Sequence, residues 1–298
     1  MNFTNLIGFI GAGNIAQSLA KGFIRSGKIE PNQIYAAAPS NRNLPRFKEL
    51  GCNVTNDNAQ ILSQFFEIKS RSVDRINFFL FVCVKPQIIA ERKKDFWNFL
   101  LPLNQKLIEI QEDFFIVSVM AGWKLSSLRD QIESHLDLPR LKWLKFARAL
   151  PNIACSLNVG VIGLFCPLES KILTDLLSLL GTCRTVQEGQ LDAICGLTSS
   201  GIAFVFSIIQ AMADGGVLVG LPREMSRELT LQTIKGACSL VDSGSNPISL
   251  RDEVCSPAGT TIEGIKVLEG GCLNHTLMEA IRAATDRSKN LGKSWEEL

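Results

Sequence analysis

The chain has 298 residues, 46% of them hydrophobic and 20% charged, and a formal net charge of +2. That length holds one large or two ordinary domains with a sizeable core, and so even a charge balance gives no footprint for nucleic acid or an anionic membrane surface. Nine cysteines without a C-x-x-C pair and only two histidines argue against a metal site and fit reduced thiols in a cytoplasmic setting, and the N-terminus shows no secretory pattern.

Leu6 to Ile10 reads as a short buried strand. Gly11, Gly13 and Ala16 then fit G-x-G-x-x-[GA], and Ile15, Leu19 and Phe23 mark one face of a following helix. A strand, this loop and a helix form a phosphate cradle, so Ile10, Gly11, Ala12, Gly13, Asn14 and Ile15 are candidate dinucleotide contacts. A second strand is predicted at Gln33–Ala38. Its end reads Pro39-Ser40-Asn41-Arg42, with no acid between Pro31 and Lys48 to hold a ribose 2′-hydroxyl. Ser40, Asn41 and Arg42 suit a 2′-phosphate instead, which favours NADPH while leaving NADH possible.

Further strands are predicted at Asn77–Val84, Phe114–Val119, Lys145–Leu150, Gly160–Phe165 and Cys183–Val186. Helical patterns separate most of them, as in a mostly parallel, doubly wound Rossmann-like sheet. Ligands of such sheets bind beyond the carboxyl ends of the strands. That places Val84, Lys85 and Pro86 after the third strand, and Ala121 and Gly122 after the fourth, beside the cofactor. Gly122 is expected to leave room for a nicotinamide.

From Glu188 onward no strand is predicted and apolar helical runs dominate, so the division expected is 1–187 for the dinucleotide-binding domain and 188–298 for a helical one. Residues 193–213 carry no charge, but a polar cluster at their start argues for burial in protein rather than lipid. The apolar surface of Gly201–Ala213 and Val217–Leu221 exceeds what one small helical domain covers, which predicts self-association. Near the end, Pro257 suits a first helical turn, and Ala258, Gly259, Thr260 and Thr261 keep that turn slim. Its free N–H groups and helix dipole favour a carboxylate. His135, in a charged loop, and His275, in a helix, are expected to be structural or solvent-exposed, and no dedicated acid–base residue stands out.

The chain resembles the pyrroline-5-carboxylate reductase family from about Leu6 to Gly292. The resemblance rests on IGFIGAGNIA, Val84-Lys85-Pro86, Ala121-Gly122, Pro151-Asn152, GLTSSG (residues 196–201), ADGGVLVGLPR (213–223) and SPAGTTIEGIKVLEGG (256–271). It implies reduction of 1-pyrroline-5-carboxylate to proline with NADPH, an all-helical substrate-binding and dimerisation domain, and dimers that assemble further into rings. By the same resemblance, Ser256, Gly259, Thr260 and Thr261 receive the substrate carboxylate, with Thr261 also near the ring nitrogen as the catalytic candidate. Glu188 and Glu253 match positions near the substrate, and Asn58 matches one on the adenosine side. Segments 63–75 and 92–113 are longer than the resemblance requires and read as surface elaboration.

Three places depart from the family pattern: Ala258 for a more usual glycine, Ile202 for proline, and Ile153-Ala154 for Thr-Pro. If position 258 needs positive φ, an alanine there costs about 1 kcal/mol or more. These departures leave open a related imine or carbonyl reductase acting on another small carboxylate, or a dinucleotide-binding protein without turnover.

Overall fold

The computed structural model describes residues 4–110, 112–136 and 143–296. Two compact units emerge: the residues up to Ser199 together with those from Thr285 on, and Ser200–Ala284. The first compact unit runs to Ser199 and takes back the far end of the chain from Thr285.

In the first unit, β1 (Thr4–Ile10), α1 (Asn14–Arg25), β2 (Ile34–Ala37), α2 (Leu44–Glu49), β3 (Asn53–Thr55), α3 (Asn58–Ser70) and β4 (Ile76–Val82) come in turn. After α4 (Pro86–Arg92), a 3-10 segment (Lys93–Leu100) and α5 (Leu103–Ile110) follow β5 (Phe114–Ser118), α6 (Leu125–Leu136), β6 (Leu144–Pro151), β7 (Gly160–Phe165), α7 (Lys171–Ser178), β8 (Gly181–Thr185) and α8 (Leu191–Ile194). The strands form one sheet in the order β3-β2-β1-β4-β5-β6-β7-β8. Every pairing is parallel except β6 with β7. All seven predicted strands are present. The eighth, β3, is a three-residue edge strand that its polar surroundings hide.

Strands buried on both faces read as continuous apolar runs, and β1 and β4 do so. Leu6, Ile10, Phe78, Leu80 and Val82 enter one core layer, while Ile7, Phe9, Phe79 and Phe81 enter the other. Phe79 stacks on Phe115 with centroids 5.1 Å apart. The strand order reverses between β1 and β4, and ligand crevices open at such a switch point.

Residues 92–113 are not surface elaboration. Phe96, Trp97, Phe99, Leu100 and Leu103 belong to the core, and Trp97 is 1% exposed. Trp97 meets Phe96 edge-on at 4.8 Å, and its indole N–H donates to Gln131 on α6 at 3.3 Å. The two long segments are also joined, because Lys69 on α3 pairs with Glu112 at 2.7 Å. His135 lies within α6 rather than in a loop.

The second unit holds α9 (Gly201–Leu218), α10 (Arg223–Asp242), α11 (Pro247–Val254), α12 (Thr260–Gly270) and the start of α13 (Leu273–Glu296). Helices α9 and α10 meet where Ser226 Oγ donates to Ala213 O at 2.6 Å. Among its described residues only Ala213, Ser226 and Thr230 are buried. Large apolar side chains stay exposed along it, Phe206, Met212, Leu229 and Val267 among them.

Candidate active site

The loop after β1 has the geometry of a phosphate cradle. Gly11 takes φ +101°, and a Cβ there would lie 2.8 Å from Cys83 O, so only glycine fits the turn. Its N–H donates to Ala37 O, and Cys83 N–H donates to Ile10 O, each at 2.8 Å. Gly13 is the N-cap of α1 and provides no side-chain cap, and no acid occupies the first turn. The N-terminal amides and the helix dipole are therefore left for an anion. Ala12 and Ala16 are buried against the sheet, while Asn14 is exposed and Ile15 half-buried.

A cavity of about 390 Å³ opens beside this loop, lined by Ile10, Gly11, Pro39, Asn58 and Val84 among others. Its volume lies within the usual range of small-molecule pockets. Ser40, Asn41 and Arg42 are exposed in the turn after β2. Asn56, which sequence reasoning missed, fixes that turn by donating to Ala38 O at 3.0 Å and to Asn41 Oδ1 at 2.9 Å. Asn58 is the first residue of α3, where the Asp57 carboxylate caps the helix by accepting from Ala59 N–H at 2.9 Å. Lys85 is exposed and Pro86 opens α4 at the carboxyl end of β4. These groups and that cavity fit a dinucleotide: free amides at one end, a basic polar turn at the other.

Gly122 corrects an expectation. At φ +76° its missing side chain faces α13, since a Cβ would lie 2.6 Å from Ser288 O and 2.7 Å from Gly292 N. The glycine permits close docking of that helix, and the space it leaves is already filled. Ala121 beside it is half-buried.

Further along the same edge, the Arg148 side chain on β6 is 3% exposed and pairs with Glu188 Oε1 at 2.9 Å. The same oxygen accepts the N–H of Leu125, the first residue of α6, at 2.6 Å. The Glu188 charge thus sits where a guanidinium and a helix N-terminus both favour it. One turn on, Asp192 Oδ1 accepts from Ser288 Oγ of α13 at 2.6 Å. Two sequence motifs that looked independent also meet. Asn152 Nδ2 donates to Thr198 O at 3.3 Å, and Ser199 Oγ donates to Pro151 O at 3.2 Å. Thr198 and Ser199 lie in a π-helical turn, Cys195–Ser200, a form that recurs at functional sites.

In the second unit the loop before α12 differs from expectation in one respect. Pro257 and Ala258 form a turn, and the helix begins only at Thr260, with Gly259 as N-cap. Gly259 N–H donates to Ser256 O at 3.0 Å. Ala258 adopts φ +54°, so the alanine at this departure sits in the left-handed region and carries the cost anticipated for it. Thr261 is half-buried in the first turn of α12, while Ser256, Thr260 and Glu253, the last on α11, are exposed. No side chain caps α12, which leaves its first amides free for a ligand. His275 is exposed on α13.

Comparison with known proteins identifies the two regions separately. Residues 188–291 match the family model "Pyrroline-5-carboxylate reductase dimerisation", and residues 6–122 match "NADP oxidoreductase coenzyme F420-dependent". The chain is 38% identical to "Pyrroline-5-carboxylate reductase 3" of Danio rerio over 96% of its own length and 91% of the relative's. It is 35% identical to "Pyrroline-5-carboxylate reductase" of Arabidopsis thaliana over 97% and 96%. Among solved structures, the Coxiella burnetii pyrroline-5-carboxylate reductase matches with a TM-score of 0.72 at 28% identity, covering 97% of this chain and 98% of that one. The NADP-bound Plasmodium falciparum pyrroline carboxylate reductase shares the fold with a TM-score of 0.76 at 24% identity, covering 96% and 98%.

Proposed function

We propose that this chain, which belongs to the pyrroline-5-carboxylate reductase family, reduces 1-pyrroline-5-carboxylate to proline as the final step of proline biosynthesis. The observation that carries the reading is the Gly11 cradle at the β1/β4 switch point, in a chain whose relatives of this name align over nearly their full length. NADPH supplies the hydride for the C=N bond.

The protein's own part is to bind and orient. The amides of Gly13, Asn14 and Ile15 receive the pyrophosphate, and Ser40, Asn41 and Arg42 receive the 2′-phosphate. Asn58 stands on the adenosine side, with Ile10, Ala12, Val84, Lys85, Pro86 and Ala121 along the cofactor's path. Ser256, Gly259, Thr260 and Thr261 hold the substrate carboxylate through backbone and hydroxyl groups, and Thr261 hydrogen-bonds near the ring nitrogen. Glu188 is engaged by Arg148 and Leu125, which supports a role near the substrate as part of an ion pair rather than as a lone base. Glu253, exposed on its helix, completes the substrate set. A protonated imine is already electrophilic, and orientation with charge placement suffices for hydride transfer. The test of the whole reading is loss of NADPH absorbance on adding pyrroline-5-carboxylate. No loss at micromolar enzyme would overturn it.

The cofactor preference is tested separately. Arg42→Ala is expected to weaken NADPH by about 1–3 kcal/mol, the range for a lost hydrogen bond to a charged group, while NADH affinity hardly changes. Calorimetric titration with both cofactors reads this, and equal losses would remove Arg42 from the 2′-phosphate site.

The exposed apolar helices of the second unit are covered by a second copy of the chain, in dimers that assemble further into rings. Residues 188–218 are long and apolar enough to cross a membrane by length and composition, and only 11% of their most apolar window is buried within the chain. The match of 188–291 to a dimerisation model supports a protein partner for this surface. Light scattering at micromolar concentration should show at least a dimer, and a monomer would refute this. The nine free cysteines support a reducing, cytoplasmic compartment.

A further inference from the structure

The segment that sequence reading treated as surplus builds one wall of the cofactor cavity. The cavity beside Gly11 is bounded on that side by Ile88, Asp95, Phe96 and Phe99. Phe96 and Phe99 are 6% and 8% exposed and meet edge-on at 6.1 Å. Trp97 between them is anchored in the core and bonded to Gln131, so the wall is held in place before any ligand arrives. Asp95 differs from its neighbours. It is exposed, in the first turn of the 3-10 segment, and it lines the same cavity.

The chemistry of these groups selects a ligand. Two aromatic residues and Ile88 offer an apolar face to a flat ring. An exposed carboxylate in the lining accepts hydrogen bonds and cannot donate. The matching ligand is a flat heteroaromatic ring that donates a hydrogen bond from its edge, as adenine does through its N6 amino group. Gly11, Pro39 and Asn58 line the same cavity, so the phosphate cradle and this wall face one space.

We propose that Asp95 is a specificity residue that accepts the N6 amino group of the cofactor's adenine, with Phe96 and Phe99 forming the wall against the ring. This rests on the cavity taking the adenosine half of NADPH. The test is isothermal titration of wild type and Asp95→Ala with NADPH and with its hypoxanthine analogue, in which a keto oxygen replaces the N6 amino group. Wild type should prefer NADPH by roughly 10- to 100-fold, the range for a lost hydrogen bond to a charged group. Asp95→Ala should bind both within about twofold of each other, because the carboxylate that tells them apart is gone, while the other acid of the lining, Asp57, is engaged in capping α3. Asp95 is exposed, so the substitution leaves the core untouched. If wild type binds both forms equally, or Asp95→Ala keeps the full preference, Asp95 does not read the base, although the cofactor assignment survives. If wild type binds neither, the cofactor assignment itself fails.

Discussion

Trp97→Ala is expected to destabilise the protein by about 3–5 kcal/mol, the range for emptying a large aromatic site in a packed core. Trp97 is 1% exposed and contacts Phe96 and Phe99, and its indole N–H bonds Gln131. The substitution removes the ring and leaves a cavity. It also unpairs the Gln131 carbonyl, and unseats a segment that runs for about twenty residues between β4 and β5. Urea unfolding at fixed protein concentration measures the loss. A change below about 1 kcal/mol would mean that residues 93–100 are held by other contacts. NADPH affinity should fall with stability, since the same segment carries part of the cavity wall.

Thr261→Ala is expected to lower kcat/KM for pyrroline-5-carboxylate by about 10- to 150-fold, from one well-placed hydrogen bond worth about 1–3 kcal/mol. NADPH affinity should hardly change, because Gly11 and the first turn of α1, proposed to hold its phosphates, belong to the other compact unit. The geometry around Thr261 favours a ligand role over a capping one. Gly259 is the N-cap of α12, and no side chain satisfies the first amides. If Thr261→Ala retains full activity, or loses cofactor and substrate binding together, the loop does not hold the substrate. Ala258→Gly sharpens the comparison, because φ +54° costs an alanine about 1 kcal/mol that glycine escapes. Part of that gain is offset by the greater freedom of glycine in the unfolded chain.

The sheet was legible in the sequence because doubly buried strands need continuous apolar runs, and Phe78 to Val82 can hardly be read otherwise. The cradle was legible because its glycines answer to local backbone geometry. β3 was not, since three residues at a sheet edge bury too little to leave a pattern. Residues 92–113 misled through composition. Lys93, Lys94 and Asp95 look like a solvated loop, and the aromatic residues after them reach the core only once the fold brings α6 alongside. Arg148 and Asn56 went unnoticed for a similar reason: each acts through a partner distant in sequence, Glu188 and Asn41 respectively. Gly122 was recognised as important but given the wrong neighbour, because nothing local announces that Gly292 lies against it.

That neighbour has a consequence for how the molecule is made. The first compact unit is discontinuous: its sheet is complete by Ser199, yet residues from Thr285 onward belong to it as well. During synthesis the strands can pair while the helices of the second unit are still emerging. The surface around Gly122 and Asp192 must then wait, since Ser288 and Gly292 follow every residue of the second unit in the chain. A stalled or clipped product lacking α13 would hold a formed sheet with the Gly122 backbone and the Asp192 carboxylate stripped of the helix that meets them.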